Sequence, residues 1–186
     1  VAIQIPVGAG PAHFDDPFRG IIDLVGMKML RFADDDMQPI VEEIPQELAD
    51  DAALWREQML EKLYGQSDEM MELALQEETI PESLIVSVLR HATLHMQIQP
   101  VLCGSALRGI GVQPVLDAVA AYLPSPLDVP PVEGKGVAKK KDGKAPRVVW
   151  KADPSEPFGA LVFKVLPAKT GDMSWLRIYS GTLKSN

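Results

Sequence analysis

The stretch that most constrains the fold runs from Ile98 to Pro126 and reads IQPVLCGSALRGIGVQPVLDAVAAYLPSP. Its apolar start is typical of a short strand, and the small residues of CGSALRG indicate a tight turn. Apolar residues then recur at helical spacing from about Val112 to Leu123, with Pro114 in the first turn. Ligands of open α/β sheets bind at the carboxyl ends of strands. The segment therefore predicts a strand, a turn placed where a ligand binds, and a helix.

Upstream of this segment, the sequence predicts a small and mostly antiparallel sheet. Alternating residues indicate a strand over Val1–Val7, and two more strands, over 18–25 and 27–32, meet near Gly26. A fourth strand is predicted over 37–44.

Three helices are predicted between this sheet and residue 98. The second covers about Asp68–Glu77, and a capping box with Thr79 as the N-cap and Glu82 three residues later begins the third. The first covers about Pro45–Tyr64, because its apolar residues fall three or four apart. The predicted core faces of the first and third helices are Leu48, Ala52, Trp55, Met59, Leu63, Leu84, Ile85, Val88, Leu89 and Ala92.

The C-terminal part changes in composition. Four prolines in LPSPLDVPPVEG predict a stiff linker, and GKGVAKKKDGKAP predicts a basic loop. PFGALVFKVL and SWLRIYSGTL then have the pattern of two strands that begin a β-barrel without completing it. The fold class expected for the whole chain is α+β.

Charge is distributed unevenly along the chain. Residues 34–78 contain 15 acidic and 2 basic residues, whereas residues 124–186 contain 11 basic and 6 acidic ones. An acidic surface repels nucleic acid, so any partner of the middle segment is expected to be a basic protein surface. The single Cys103 cannot form an internal disulfide and suits a reducing compartment. Because the chain does not begin with Met, we interpret it as a piece of a longer protein.

Three stretches together resemble elongation factor G, a translational GTPase. They are FRGIIDLVGMKML, PVLCGSALRGIGVQPVLDAVAAYLPSPLDVPPVEG and LRIYSGTL, in that family's order. The resemblance implies an inserted subdomain of the GTPase domain over 1–94 and the last strand and helix of that P-loop-type α/β domain over 95–123. It implies a proline-rich and basic linker over 124–156 and the start of a β-barrel domain over 157–186.

The turn GSAL resembles the last guanine-nucleotide motif of such GTPases. By this resemblance, Ser105, Ala106 and Leu107 line the guanine pocket, and the backbone N–H of Ala106 donates to the guanine O6. Small residues such as Gly104 allow the backbone to approach a base closely. The Ser105 hydroxyl is expected to fix the shape of the turn.

Other nucleotide motifs are not in this sequence. It contains no G-x-x-x-x-G-K-[ST] and no Asn-Lys-x-Asp. DLVG at 23–26 has the D-x-x-G shape, but it lies in the inserted segment and is interpreted as a turn between strands. The resemblance therefore implies GTP or GDP with Mg²⁺ in the parent protein, while this chain is predicted to bind neither. No catalytic residue and no metal ligand are predicted in it.

Partners follow from the same resemblance. The parent is expected to use GTP hydrolysis to move transfer RNA and messenger RNA on the ribosome in the cytoplasm, a mitochondrial version being left open. It would contact ribosomal RNA and the stalk protein of the large subunit, and no membrane. The acidic helix is expected to face that stalk protein, with Glu47, Asp51 and Glu57 as candidate contacts.

Two other functions are compatible with the residues alone. A stand-alone acidic adaptor that binds proteins is one, and a small enzyme that uses Cys103 or the pair His91 and His95 is the other. The spacing of four residues between these histidines can hold a metal ion, but no third ligand is evident. The apolar C-terminal hairpin is also expected to make the chain self-associate.

Overall fold

The computed structural model of the chain describes residues 1–8, 10–11, 13, 15–32, 38–136, 147–167, 169 and 171–185. It divides into two units, Val1–Leu123 and Pro124–Asn186. Helices and small antiparallel sheets make up the described part, which confirms the α+β class. Within the described residues, no helix is long and apolar enough to cross a membrane.

The first unit contains a four-stranded antiparallel sheet in which each strand pairs with the next along the chain. Its strands are β1 (Gln4–Val7), β2 (Gly20–Asp23), β3 (Lys28–Arg31) and β4 (Ile40–Glu42). The β2–β3 turn is short because the Asp23 carboxylate accepts hydrogen bonds from the backbone N–H groups of Val25 and Gly26, both at 3.1 Å. The predicted antiparallel sheet is confirmed.

Helices cover both faces of this sheet. They are α1 (Gln46–Tyr64), α2 (Asp68–Leu75), α3 (Glu82–Leu94) and α4 (Val112–Tyr122). Ile5 pairs with Ile22 and lines a cavity with Leu48 of α1, so α1 lies on the face that carries these two residues. Ile21 points to the other face, where its Cδ1 would lie 2.9 Å from a Cβ at Gly111, just before α4. Layers of this kind bury both sides of a sheet.

The hydrophobic core of the first unit lies between these layers, and seven of the ten core residues predicted for the first and third helices are buried in it. The largest fully buried side chains are Ile21, Ile22, Leu24, Met59, Leu63, Met70, Ile85 and Leu89.

Two local predictions in the helices are wrong. The spacing predicts Trp55 in the core, but the residue is 42% exposed, because the buried stripe formed by Ala52, Met59 and Leu63 is narrower than that spacing indicates. The third helix is not capped by Thr79. Its N-cap is Pro81, which has an extended backbone and no side-chain capping hydrogen bond. The Pro81 carbonyl accepts hydrogen bonds from the N–H groups of residues 84 and 85.

The strand predicted over 98–102 is reduced to a single parallel bridge between Ala2 and Val101. Ile3 donates its N–H to the Val101 carbonyl at 3.1 Å, and Val101 donates to the Val1 carbonyl at 2.8 Å. Pro100 has no N–H to extend this ladder. The segment is therefore paired to the start of the chain only at its centre.

The second unit contains two antiparallel hairpins. β5 (Val132–Lys135) pairs with β6 (Arg147–Trp150), and β7 (Gly159–Leu166) pairs with β8 (Met173–Ser180). The prediction of a linker over 124–156 is thus wrong where β5 and β6 form a sheet. Local composition does not predict this pairing, because the two strands are separated along the chain by residues 136–146. The basic loop predicted over 134–146 falls largely on residues 137–146, which lie outside the described residues. The two strands predicted after residue 157 are confirmed.

Trp150 joins the two hairpins of this unit. A Cβ at Gly134 would lie 2.5 Å from Cζ3 of its ring, and one at Gly159 would lie 2.4 Å from its Cδ1 and Nε1. The ring therefore lies directly on backbone that has no side chain. The described part of the unit forms no closed barrel, and the large apolar side chains of its second hairpin are exposed: Phe158, Leu161, Val162, Phe163, Val165, Leu166, Met173, Trp175, Leu176, Ile178 and Leu183.

Candidate functional site

The GSAL turn is a closed loop held by backbone hydrogen bonds. Ser105 donates its N–H to the Ile110 carbonyl at 2.8 Å, and Ile110 donates back to the Ser105 carbonyl at 3.1 Å. Between them, Ala106–Arg108 forms one turn of 3₁₀ helix. The first N–H groups of such a turn have no partner within it, so they are available to a ligand. The geometry suits a backbone donor at Ala106.

The prediction for the Ser105 hydroxyl is wrong, because its side chain makes no capping hydrogen bond to this turn. Close packing of the backbone fixes the turn instead. A Cβ at Gly104 would lie 2.7 Å from the Ile110 carbonyl oxygen, and one at Gly111 would lie 2.8 Å from the Cys103 carbonyl oxygen. Gly111 also has a φ of 79°, a left-handed conformation that favours glycine. These glycines are needed by the chain itself, whatever ligand is bound.

A cavity of about 610 Å³ adjoins the turn. Leu107, with 98% of its side chain exposed, lies on its rim, and Arg108 donates from Nη1 to the Phe18 carbonyl at 3.0 Å. This bond holds the turn beside the loop between β1 and β2. The described lining is Pro6, Gly8, Gly10, Pro11, Phe18, Cys103, Gly104, Ser105, Leu107 and Arg108. Two of the three predicted guanine contacts, Ser105 and Leu107, thus share one cavity wall.

Cys103 lies in the same wall but is not poised as a nucleophile. Burial raises the pKa of its thiol to about 11, so it is protonated at neutral pH. The thiolate is the reactive form of cysteine. The small-enzyme alternative therefore gains no support from this residue.

The two histidines of α3 are exposed neighbours. Their ring centroids lie 4.2 Å apart, and His95 Nδ1 is 2.8 Å from the His91 carbonyl oxygen. No group of three His, Cys, Asp or Glu side chains in the described part of the chain is arranged to hold a metal ion.

The acidic face of α1 is exposed as a whole. Glu47, Asp51 and Glu57 are all exposed, whereas Ala52 and Met59 of the same helix are buried. Among the described residues, none of these three carboxylates forms an ion pair. Nothing within the described chain therefore neutralises this face.

The role of Arg56, the arginine of α1, could not be identified from the sequence. Arg56 turns inward and donates from Nη1 to the carbonyls of Leu24 and Val25, at 2.5 and 2.8 Å. Its guanidinium is thereby used to hold the β2–β3 turn against α1. A single Arg in a run of acidic residues is expected to be solvated. Only the folded structure shows that the Arg56 guanidinium points inward and does not offset the negative charge of the exposed face.

The β2–β3 turn also brings a second group of carboxylates together. Burial raises the pKa of Asp23, and the nearby Glu82 raises it further, while hydrogen bonds from Val25 and Gly26 and the charge of Arg56 oppose the shift. The DLVG segment is therefore a turn, as predicted, and its aspartate has the structural role of holding that turn.

A crystal structure of a protein from Thermus thermophilus superposes with a TM-score of 0.66, at 24% identity, over 98% of this chain and 23% of that one. This similarity shows the fold. No family model matches the chain.

Two similar sequences are named as elongation factors G. The chain is 43% identical to "Elongation factor G" of Thermotoga maritima over 186 residues, which is 99% of this chain and 25% of the relative. It is 45% identical to "Elongation factor G 2" of Desulfotalea psychrophila, with 99% and 25% covered. The chain therefore belongs to the elongation factor G family, and it spans about a quarter of the length of these relatives.

Proposed function

We propose that this chain is part of a cytoplasmic translation factor that uses GTP hydrolysis to move transfer RNA and messenger RNA on the ribosome. The observation that carries the proposal is the identity of 43–45% to elongation factor G over 99% of the chain. The division of the first unit into an inserted subdomain, 1–94, and the end of a GTPase domain, 95–123, is part of the proposal. The longer reading frame tests it: a frame without a phosphate loop and without Asn-Lys-x-Asp would favour the adaptor instead.

In this proposal the Ser105–Leu107 turn contacts the guanine base. Support comes from the closed backbone loop, the amide at its start and the adjoining cavity. The Ala106 N–H donates to the guanine O6, which is an acceptor that adenine lacks. The turn would thus contribute to the choice of guanine over adenine, while the phosphates and Mg²⁺ are bound elsewhere in the parent protein.

Ala106→Pro tests this donor in the parent protein. Proline is tolerated at the first position of a helical turn, and Ser105, with φ −130° and ψ 99°, is close to the extended backbone that precedes a proline. The change therefore removes one N–H with little cost to the fold. GDP affinity should fall by about tenfold, with Ala106→Ser as the matched control that keeps the N–H. Equal affinities for both variants would show that this amide does not contact the base.

For this chain alone, we expect only weak nucleotide binding, because the groups that cradle phosphates are not in its sequence. Calorimetry with GDP and Mg²⁺ is the measurement. Binding at low-micromolar concentration would contradict this expectation.

The acidic face of α1 is proposed to dock on a basic protein surface, and the stalk protein of the large ribosomal subunit is the proposed partner. Support comes from the exposure of Glu47, Asp51 and Glu57 and from the inward orientation of Arg56. Complementary charge acts mainly on the rate of association.

Charge reversal at these three positions to Lys should slow association with the stalk protein by about tenfold or more at low salt. The matched control reverses Glu72, Glu77 and Glu78, which are equally exposed but lie outside α1. Stopped-flow rates measured at several salt concentrations separate the two. If both triple variants slow association equally, the effect is one of net charge and α1 is not the docking face.

Self-association of the isolated chain is proposed to occur through the hairpin β7–β8. Its exposed apolar side chains and its unpaired outer edges support this. Light scattering should show oligomers for the 186-residue chain and monomers after removal of the residues beyond Pro154. Phe163→Lys, at a position where 60% of the side chain is exposed, should also reduce association without unfolding the hairpin. A monomer in every case would refute the proposal.

A further inference from the structure

Two imidazole rings lie side by side at the C-terminal end of α3. His91 and His95 are four residues apart, which makes them neighbours on one side of a helix. Their ring centroids are 4.2 Å apart, and both residues are exposed, so an ion in solution can reach both rings. Neither residue lines the cavity beside the GSAL turn, and neither belongs to α1.

A hydrogen bond sets the tautomer of His95. Its Nδ1 lies 2.8 Å from the His91 carbonyl oxygen. A carbonyl oxygen can only accept, so Nδ1 carries the proton and Nε2 of the neutral ring keeps its lone pair. Histidines that bind a metal ion are usually held in this way, with one ring nitrogen bonded to an oxygen and the other on the metal. His95 is therefore prepared to bind a metal ion through Nε2.

The end of the helix is also electrostatically suited to a cation. α3 runs over Glu82–Leu94, with His95 as its C-cap. The unpaired carbonyls at a helix C-terminus carry about half a negative charge, which favours cations within the last turn. The cation that precedes His91 in the sequence, Arg90, donates from Nη1 to the Ala121 carbonyl at 2.7 Å, so its charge is held at the end of α4. The helix dipole therefore favours a metal ion at the two rings.

The ring spacing indicates which ion fits. At a metal–nitrogen distance of about 2.0 Å, two imidazoles at adjacent corners of a square plane have centroids about 4.5 Å apart, and two in a tetrahedron have centroids about 5.1 Å apart. The observed 4.2 Å is closer to the square-planar value. Square-planar nitrogen sites are typical of Cu²⁺ and Ni²⁺, and Cu²⁺ binds a given set of nitrogen ligands more tightly than the other divalent ions of its row.

We propose that His91 and His95 form a chelate for Cu²⁺ at the end of α3, each through one ring nitrogen. The described part of the chain contains no group of three His, Cys, Asp or Glu side chains that could hold a metal ion, so solvent takes the other positions around this one. Binding requires no change in the fold, because the two rings already lie together. The proposal is independent of the guanine turn and of the acidic face of α1.

Electron paramagnetic resonance of the 186-residue chain with one equivalent of Cu²⁺ tests the proposal. We expect an axial spectrum with hyperfine coupling to two imidazole nitrogens. Paramagnetic broadening of the amide NMR signals should centre on the end of α3. A spectrum without nitrogen coupling, or broadening centred elsewhere in the chain, would overturn the proposal.

The third histidine of the chain, His13, supplies a matched control. His91→Ala and His95→Ala each break the chelate and should weaken Cu²⁺ binding by about 100-fold or more, because the second contact of a linked pair is made within one molecule. His13→Ala also removes an imidazole but should leave the affinity unchanged. Circular dichroism checks that the variants at the two exposed positions of the pair remain folded. If either of them binds Cu²⁺ as tightly as His13→Ala does, the two rings do not act together and the proposal is wrong.

Two other ions separate coordination from charge. Zn²⁺ has the same charge but prefers a tetrahedron, and it should bind at least about tenfold more weakly than Cu²⁺. Mg²⁺ prefers oxygen ligands and should not displace Cu²⁺ even at about 100-fold excess. Zn²⁺ binding as tight as that of Cu²⁺ would contradict the square-planar geometry. Displacement by Mg²⁺ would show that charge alone attracts the ion, which would also refute the proposal.

Discussion

The two units use similar strands with opposite results for burial. Ile21, Ile22 and Met29 of β2 and β3 are almost fully buried, whereas β7 and β8, which are longer, are exposed along nearly their whole length. Every buried apolar residue of the described chain belongs to the first unit. The difference lies in what covers the strands. Helices lie on both faces of the first sheet, while the described part of the second unit has only strands.

This contrast teaches that a strand pattern predicts pairing but not burial. Alternation or apolar content identifies a strand from local sequence. Burial requires a second layer, and the residues that form that layer lie elsewhere in the chain. Isolated two-stranded hairpins have marginal stability in water for the same reason.

The largest expected difference between the units concerns large-to-small substitutions. Leu89→Ala, at a fully buried position of α3, should lower the free energy of unfolding by roughly 2–5 kcal/mol, because it leaves a cavity in the core. Leu161→Ala, at a position 54% exposed in β7, should cost less than about 1 kcal/mol. Urea unfolding followed by circular dichroism at the helix band measures the first loss, because all the described helices lie in the first unit. Amide exchange in β7 and β8 as a function of urea measures the second. Equal losses would break the comparison.

Substituting glycines at the GSAL turn by alanine should give the next largest loss of stability. Gly111→Ala combines a φ of 79° with a Cβ only 2.8 Å from the Cys103 carbonyl oxygen. Gly109→Ala has a similar φ of 70° but nothing within 4 Å of its Cβ, so it is the matched control. We expect a loss of about 1 kcal/mol for Gly109→Ala and of about 3 kcal/mol for Gly111→Ala. A common loss would mean that the close approach relaxes without cost.

The role of Trp150 tests how the second unit is held together without a helical layer. If the second unit depends on one ring that lies on Gly134 and Gly159, Trp150→Ala should uncouple its two hairpins. Amide exchange in β5 and β6 should then speed up, while exchange in α3 stays unchanged. Trp175→Ala, at a position 48% exposed, removes an equal ring from the second hairpin and should leave β5 and β6 protected.

The smallest expected effect is that the stability contributions of Asp23 and Asp153 depend on pH in opposite directions. Burial raises the pKa of Asp23 above 3.8, so its contribution to stability is full below that pH and is lost as the pH rises through its folded pKa. Hydrogen bonds from Ser155 lower the pKa of Asp153, so its contribution is present above 3.8 and is lost as the pH falls through its folded pKa. Relative to the wild type, Asp23→Asn should therefore gain stability with rising pH.

Unfolding measured between about pH 3 and 7 for Asp23→Asn, and strand amide exchange over the same range for Asp153→Asn, provide the test. Slopes of the same sign in the two units would contradict the assignment. The Asp23 substitution also loses one acceptor at every pH, so only the slope is informative.

Much of the fold could be predicted from the sequence. The antiparallel sheet, the four α-helices and the final hairpin follow from periodicity, and the core residues of α3 follow from their spacing. The strand over 98–102 and the linker over 124–156 could not be predicted correctly. Both depend on pairing between distant segments, in one case with Ala2 and in the other across residues 136–146.

For the candidate site, the sequence by itself determined the position of the GSAL turn, the acidic composition of α1 and the family. The tertiary structure decided what each residue does there. It assigned Gly104 and Gly111 to close backbone packing, turned Arg56 away from the acidic face, exposed Trp55, and set the tautomer of His95 through a hydrogen bond to the His91 carbonyl. Local sequence reports which residue types lie near one another along the chain, whereas hydrogen-bond partners and burial depend on segments that meet only when the chain is folded.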